Sequence, residues 1–317
     1  MSPSSLTHRK FVGSVGAVLG TSLLERGRAE AAAPSRAGAP SAPGPVRLDS
    51  NENPYGPSPR ALEAIGRARA VAARYPDALE DRVTEALARL HGVQPENILL
   101  GCGSGEILRM ADMAFLAPGR TVVAAEPTFE AVLSYARVTR ADPVKVPLTA
   151  DFRHDLPRMA AACDARTGLV YVCNPNNPTG TIVKREELSA FVAAAPRSAV
   201  LLVDEAYHHF VEDPGYASAA EWIGGQPNLI VVRTFSKIYG LAGMRLGYAL
   251  GPKDRIDAMQ PHKTWNANAA VLEAALASLD DDAHVPGQRR LMNDTRRWLI
   301  GELQKDGRRT IPSEANS

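Results

Sequence analysis

Cysteine is scarce in this chain of 317 residues: Cys102, Cys163 and Cys173 are the only three. An odd, widely spaced set of thiols excludes a disulfide framework as the source of stability. Excess charge of either sign is also missing, with Lys+Arg 36 against Asp+Glu 35 and a formal net charge of +1. A chain so balanced has no electrostatic footprint for nucleic acid. No apolar run is long enough to span a bilayer, and no segment repeats itself. What is present is ordinary for a globular protein, 45% hydrophobic and 22% charged residues, in a length that can hold one large domain and a smaller one.

Residues 1–45 differ in composition from the rest. His8-Arg9-Lys10 precedes a small-residue apolar stretch from Phe11 to Leu24, followed by Ala29-Glu30-Ala31 and Ala31-Ala32-Ala33. A charged start, short apolar middle and small-residue end make up a secretory signal. Thr7-His8-Arg9-Lys10-Phe11-Val12 resembles a twin-arginine export signal with His8 in place of the first arginine. A periplasmic or secreted location is the expectation, with the cytoplasm as the alternative. The Pro, Ala, Gly and Ser of 33–45 read as a linker, since they cannot bury a core.

From residue 60 onward, apolar runs alternate with helical patterns. The expected strands are Ile98–Leu100, Thr121–Ala125, Val144–Val146, Leu169–Cys173, Ala199–Val203, Leu229–Val232 and Leu246–Leu250. Helical spacing marks Arg60–Ala73, Leu79–His91 and a long region from Ala267 to Lys305. Such alternation predicts an α/β fold, a largely parallel sheet with helices on both faces. Ligands of such sheets bind in the crevice beyond the carboxyl ends of the strands.

Three of those ends carry chemistry. The run at 229–232 leads to Thr234, Ser236 and Lys237, with Arg245 following in Gly243-Met244-Arg245-Leu246-Gly247. The run at 199–203 ends in Asp204-Glu205-Ala206-Tyr207, and that at 169–173 in Asn174-Pro175-Asn176-Asn177-Pro178-Thr179-Gly180. A lysine, an acid and an amide converging there suit pyridoxal 5'-phosphate (PLP). The lysine forms the Schiff base and the aspartate holds the ring nitrogen protonated, so that the ring can accept electrons. Tyr207 and Asn177 can reach the ring hydroxyl, and Phe129, after its own strand, can stack on the ring. Gly101-Cys102-Gly103-Ser104-Gly105-Glu106 opens a helix from Ile107, where free N–H groups and the helix dipole attract an anion. The hydroxyls of Thr234 and Ser236 and the guanidinium of Arg245 add phosphate donors. Taken singly, each feature has a plainer reading: a glycine turn, a helix cap at Asp204, a turn amide at Asn177, a core Phe129, an ion-paired Arg245. Their spacing around one lysine favours a site. His208, His209 and His262 are assigned no role, and no metal site is expected.

With those residues in view, the chain resembles a class I/II aminotransferase of the PLP fold-type I group, its histidinol-phosphate aminotransferase branch above all. The resemblance rests on Asn51-Glu52-Asn53-Pro54-Tyr55-Gly56-Pro57-Ser58, Arg74-Tyr75-Pro76-Asp77, Asn176-Asn177-Pro178-Thr179-Gly180, Asp204-Glu205-Ala206-Tyr207, and Ser236-Lys237 with Arg245. It covers about residue 46 to the end. It implies a PLP-binding large domain over 72–260 and a small domain from 46–71 and 261–317. It implies that Tyr55 touches substrate and that Tyr75 reaches the phosphate in the neighbouring subunit, hence a homodimer with shared active sites. The substrates implied are a small-molecule amino donor (an amino acid or amino-alcohol phosphate) and a 2-oxo acid. Similar enzymes continue past the equivalent of Ser317 and supply a carboxylate-binding arginine there, so an incomplete small domain is expected. A PLP-dependent lyase or decarboxylase, and a non-catalytic PLP-binding protein, stay open as alternatives.

Overall fold

The computed structural model describes residues 48–317; the signal-like segment and the linker lie outside them. Seven strands form one sheet: Ile98–Gly101 (β1), Thr121–Glu126 (β2), Asp142–Pro147 (β3), Thr167–Cys173 (β4), Val200–Asp204 (β5), Leu229–Thr234 (β6) and Gly247–Leu250 (β7). Their order is β1-β7-β6-β5-β4-β2-β3. Each expected strand is present, and the sheet is parallel except for β7, which runs antiparallel to both neighbours. A parallel neighbour needs a crossover of a dozen or more residues, usually with a helix. Between β6 and β7 the only helical element is a short 3-10 turn, Ala242–Met244, so the chain turns back instead.

Nine helices accompany the sheet among the described residues: Pro59–Arg67 (α1), Asp77–His91 (α2), Ser104–Phe115 (α3), Ala131–Thr139 (α4), Leu156–Ala161 (α5), Arg185–Ala194 (α6), Lys253–Met259 (α7), Ala269–Leu279 (α8) and His284–Lys305 (α9). The central strands are buried throughout, and their alternation divides two cores. Leu169, Tyr171, Leu202, Ile230 and Val232 face α3, α4 and α7. Val170, Val172, Leu201, Val203 and Val231 share the other core with α2, α5, α6 and α8. None of these helices is long and apolar enough to cross a membrane.

Two helical expectations change in detail. The helix foreseen over 60–73 begins where Ser58 caps the amide of Ala61 and Pro59 presets the first turn, then tightens to a 3-10 turn at Ala68–Val71. Gly66, a poor helix former, weakens its last turn. The long region 267–305 is two helices. Asp280, Asp281 and Asp282 put three carboxylates at the negative end of α8, where the dipole and low helix propensity both oppose continuation.

On α3, Asp112 is fully buried and neither carboxylate oxygen has a partner. Burial pushes its pKa up to about 8. A carboxyl raised in the folded state costs nothing below its unfolded value, near 3.9, and removes about 1.4 kcal/mol per pH unit above it. Stability is therefore lost as pH rises from about 4 to about 8. The Asp112→Asn variant should be more stable than the parent by about 5 kcal/mol at pH 8, the gap closing by pH 4. Thermal melts across this range check it, and a constant gap would show that Asp112 is not titrating.

Candidate active site

The carboxyl ends of β1, β4, β5 and β6 meet at one edge of the sheet, and the loops leaving them enclose a cavity of about 660 Å³. Its walls include Ser104, Gly105, Phe129, Asn177, Asp204, Tyr207, Thr234, Ser236, Lys237 and Arg245. The reversed direction of β7 accounts for part of this convergence. A connection between antiparallel neighbours stays on one side of the sheet, so Lys237 after β6 and Arg245 before β7 remain at the same edge.

Asp204, the last residue of β5, is 2% exposed at the cavity floor. One carboxylate oxygen accepts the Ala206 N–H at 3.0 Å, the other the Tyr171 hydroxyl at 3.0 Å. Burial raises its pKa to about 6 against the pull of those two donors. Lys237 Nζ donates to the carbonyls of Ser50 (2.9 Å) and Asn51 (3.0 Å), and lies 5.5 Å over the Tyr207 ring. Burial lowers the lysine pKa. The Tyr207 hydroxyl accepts from the amides of Asn51 (3.2 Å) and Asn177 (3.3 Å), and burial keeps it protonated by raising its pKa.

At the other end of the cavity the donors suit a dianion. Helix α3 begins at Ser104, three residues earlier than the sequence indicates, so the amides of Ser104 and Gly105 belong to its open first turn. The Thr234 hydroxyl donates to Ser236 Oγ at 2.9 Å and accepts the Ser236 N–H at 3.0 Å, fixing the turn before Lys237. Arg245 adopts φ +62° and donates to the Ala242 carbonyl at 2.9 Å. Its guanidinium crosses Gly103, at φ +83°, where a Cβ would lie 2.1 Å from Nη2. Gly103→Ala is therefore expected to displace Arg245 and weaken PLP binding roughly 10- to 100-fold. Fluorescence titration checks this, and unaltered affinity would remove Arg245 from the phosphate end.

Two residues singled out in the sequence lie elsewhere. Tyr55 is 45% exposed, its hydroxyl 3.2 Å from Thr295 Oγ1 on α9. Tyr75 is 87% exposed and lines a separate cleft with Arg74 and Trp265. Other contributors carry little sequence signal. Asn176 Oδ1 accepts from Thr128 Oγ1 (2.8 Å) and from His154 Nε2 (3.1 Å), while its amide donates to Thr179 Oγ1 (2.9 Å). This network ties the Phe129 loop to the Asn177 loop; burial drops His154 to a pKa of about 4, so the ring is neutral. Glu205 and Arg233 form a buried pair at 2.8 Å that joins β5 to β6 behind Asp204 and Lys237. Ser218 and the Ala219 N–H complete the carboxylate's partners. Asn51 belongs to a motif visible in the sequence, but its contact with Tyr207 spans 156 positions and only the fold reveals it.

A lysine and a buried acid at one end and an anion cradle at the other, on a helix-flanked sheet, define a fold-type I PLP site. The chain matches the family described as aminotransferase class I and II over residues 43–317, and belongs to it. It is a PLP-dependent aminotransferase. It is 42% identical over 273 residues to a histidinol-phosphate aminotransferase of Moorella thermoacetica, covering 86% of this chain and 70% of that one. It is also 43% identical over 237 residues to an aromatic amino acid aminotransferase of Corynebacterium diphtheriae (74% and 69% covered). The crystal structure of histidinol-phosphate aminotransferase from Sinorhizobium meliloti in complex with PLP superposes with a TM-score of 0.80 at 30% identity, covering 84% and 72%.

Proposed function

We propose that this aminotransferase moves an amino group from a histidinol-phosphate-like amino-alcohol phosphate or an amino acid to a 2-oxo acid. The observation that carries the site assignment is the placement of Lys237 and Asp204 in one cavity with Ser104, Gly105, Ser236 and Arg245. The donor set fits PLP: Lys237 would hold it covalently, Asp204 would face its ring nitrogen, and Tyr207 with Asn177 its ring hydroxyl. Phe129 would cover the ring, and the cradle with Arg245 and Thr234 would take the phosphate. When bound, PLP supplies an electron sink for the carbon that loses its proton. Lys237 Nζ would be the base that carries that proton. Its lowered pKa increases the neutral fraction available for this at neutral pH.

The homodimer with Tyr75 reaching the neighbouring subunit's phosphate belongs to the same proposal. It is supported by the exposure of Tyr75 and Trp265 beside one cleft. Tyr55 as a substrate contact, the division at 72–260, and export by the amino-terminal segment are further parts of the proposal, the last supported by the sequence pattern alone.

Steady-state assays with histidinol phosphate, phenylalanine and tyrosine as donors test the reading. Amino transfer should require a 2-oxo acid acceptor, with kcat/KM for histidinol phosphate at least about tenfold above the others, a gap of about 1.4 kcal/mol. Product without acceptor would mean a lyase, and a preference for phenylalanine would reassign the donor. Sedimentation should give a dimer, and the periplasmic fraction a chain cleaved before the linker.

A further inference from the structure

Tyr171 sits in the middle of β4 with no exposed surface, enclosed by the core that α3, α4 and α7 share with the sheet. Strand β4 pairs with β5 so that Cys173 is opposite Asp204. Tyr171, two residues earlier, points to the same face as Cys173 and extends its hydroxyl under the strand end to Asp204 Oδ2, at 3.0 Å. The second oxygen is engaged by the Ala206 N–H. Rotating the carboxylate would break both bonds and leave a buried hydroxyl with only the weakly accepting sulfur of Cys173 beside it.

We propose that Tyr171 is a positioning residue for amino transfer, holding the Asp204 carboxylate in one orientation and ionised at the cavity floor. The proposal rests on the reading of Asp204 as the partner of the PLP ring nitrogen. The ionisable groups facing Asp204 are Tyr171 and Cys173 from β4, Glu205 beside it in sequence, Tyr207 from the following turn and Lys237 from the β6–β7 loop. Burial raises the pKa values of Tyr171, Cys173 and Tyr207, so all three stay protonated, and Glu205 is paired with Arg233. Among the described residues Tyr171 is thus the one side-chain hydroxyl bonded to the carboxylate from within the sheet, and it opposes the rise that burial imposes.

The test is Tyr171→Phe, which keeps the ring and removes one oxygen, made in the parent and in Asp204→Asn. PLP affinity measured by fluorescence from pH 5 to pH 9 should fall about tenfold at pH 7. The midpoint below which affinity is lost should move up by about one pH unit. The kcat should fall with the KM for the amino donor nearly unchanged. In cofactor-free protein, the fall in Tm between pH 4 and pH 8 should be larger for the Phe variant, because a carboxyl raised in the folded state loses stability as pH rises through its folded pKa. Both effects should vanish in the Asp204→Asn background. Parental affinity and midpoint in Tyr171→Phe would overturn the proposal. If Asp204→Asn binds PLP as tightly as the parent, the reading of Asp204 fails and the proposal with it, whereas the cofactor-free melts still report the Tyr171–Asp204 contact by themselves.

Discussion

Lys237→Ala is expected to retain its fold, bind PLP without a covalent bond, and lose amino transfer by roughly 10⁴-fold or more. In the described residues the lysine ammonium bonds only to the backbone carbonyls of Ser50 and Asn51, on a segment that the loss leaves able to turn to water. The variant should therefore melt close to the parent. Catalysis has no such reserve, because no other lysine among the described residues lines the cavity. Borohydride treatment followed by peptide mapping checks the assignment: the parent should carry PLP on the peptide containing Lys237, and the variant on none. An adduct that survives in the variant would move the covalent role to another residue.

Asp204→Ala should cost about 10³-fold in kcat and about 10- to 100-fold in PLP affinity, since it removes the buried carboxylate that would pair with a protonated ring nitrogen. Its effect on the cofactor-free protein should be small. Above pH 6 the parent holds a buried carboxylate whose raised pKa costs about 3 kcal/mol, and this cost is absent below pH 4. Removing the group relieves that cost but strands the Tyr171 hydroxyl, a penalty of about 1–3 kcal/mol. The two nearly cancel at pH 8. Calorimetry of cofactor-free protein together with single-turnover kinetics separates the cases: a collapse in Tm would make Asp204 a structural residue, and parental turnover would assign the ring nitrogen to another group.

The strands were legible because each central one is an unbroken apolar run buried on both faces, a pattern that needs no knowledge of its neighbours. The residues at the cavity were legible for a related reason: Asp204 ends a strand, and Asn177 and Lys237 follow theirs within a few positions, so topology alone gathers them. The start of α3 was harder to place. Ser104-Gly105-Glu106 reads as loop until one sees that Glu106 folds back to accept the Cys102 N–H at 2.7 Å and closes the turn from inside. The break at Asp280 required weighing three carboxylates against a long apolar spacing. Tyr171 was invisible in principle: a tyrosine within an apolar strand looks like core, and its partner is fixed only by the register of β4 against β5. Arg233 and Glu205, 28 positions apart, were hidden in the same way.

The backbone at Arg245 has a further consequence. A residue with a side chain at φ +62° is held where glycine would sit at ease, and the strain is of order 1 kcal/mol. Selection for thermal resilience alone would drift toward glycine there and discard the guanidinium in the same step. Resilience and cofactor retention thus pull against each other at a single codon. A screen for heat-tolerant variants run on cofactor-free protein would enrich chains that can no longer grip a phosphate, while the same screen run with PLP present would keep the arginine.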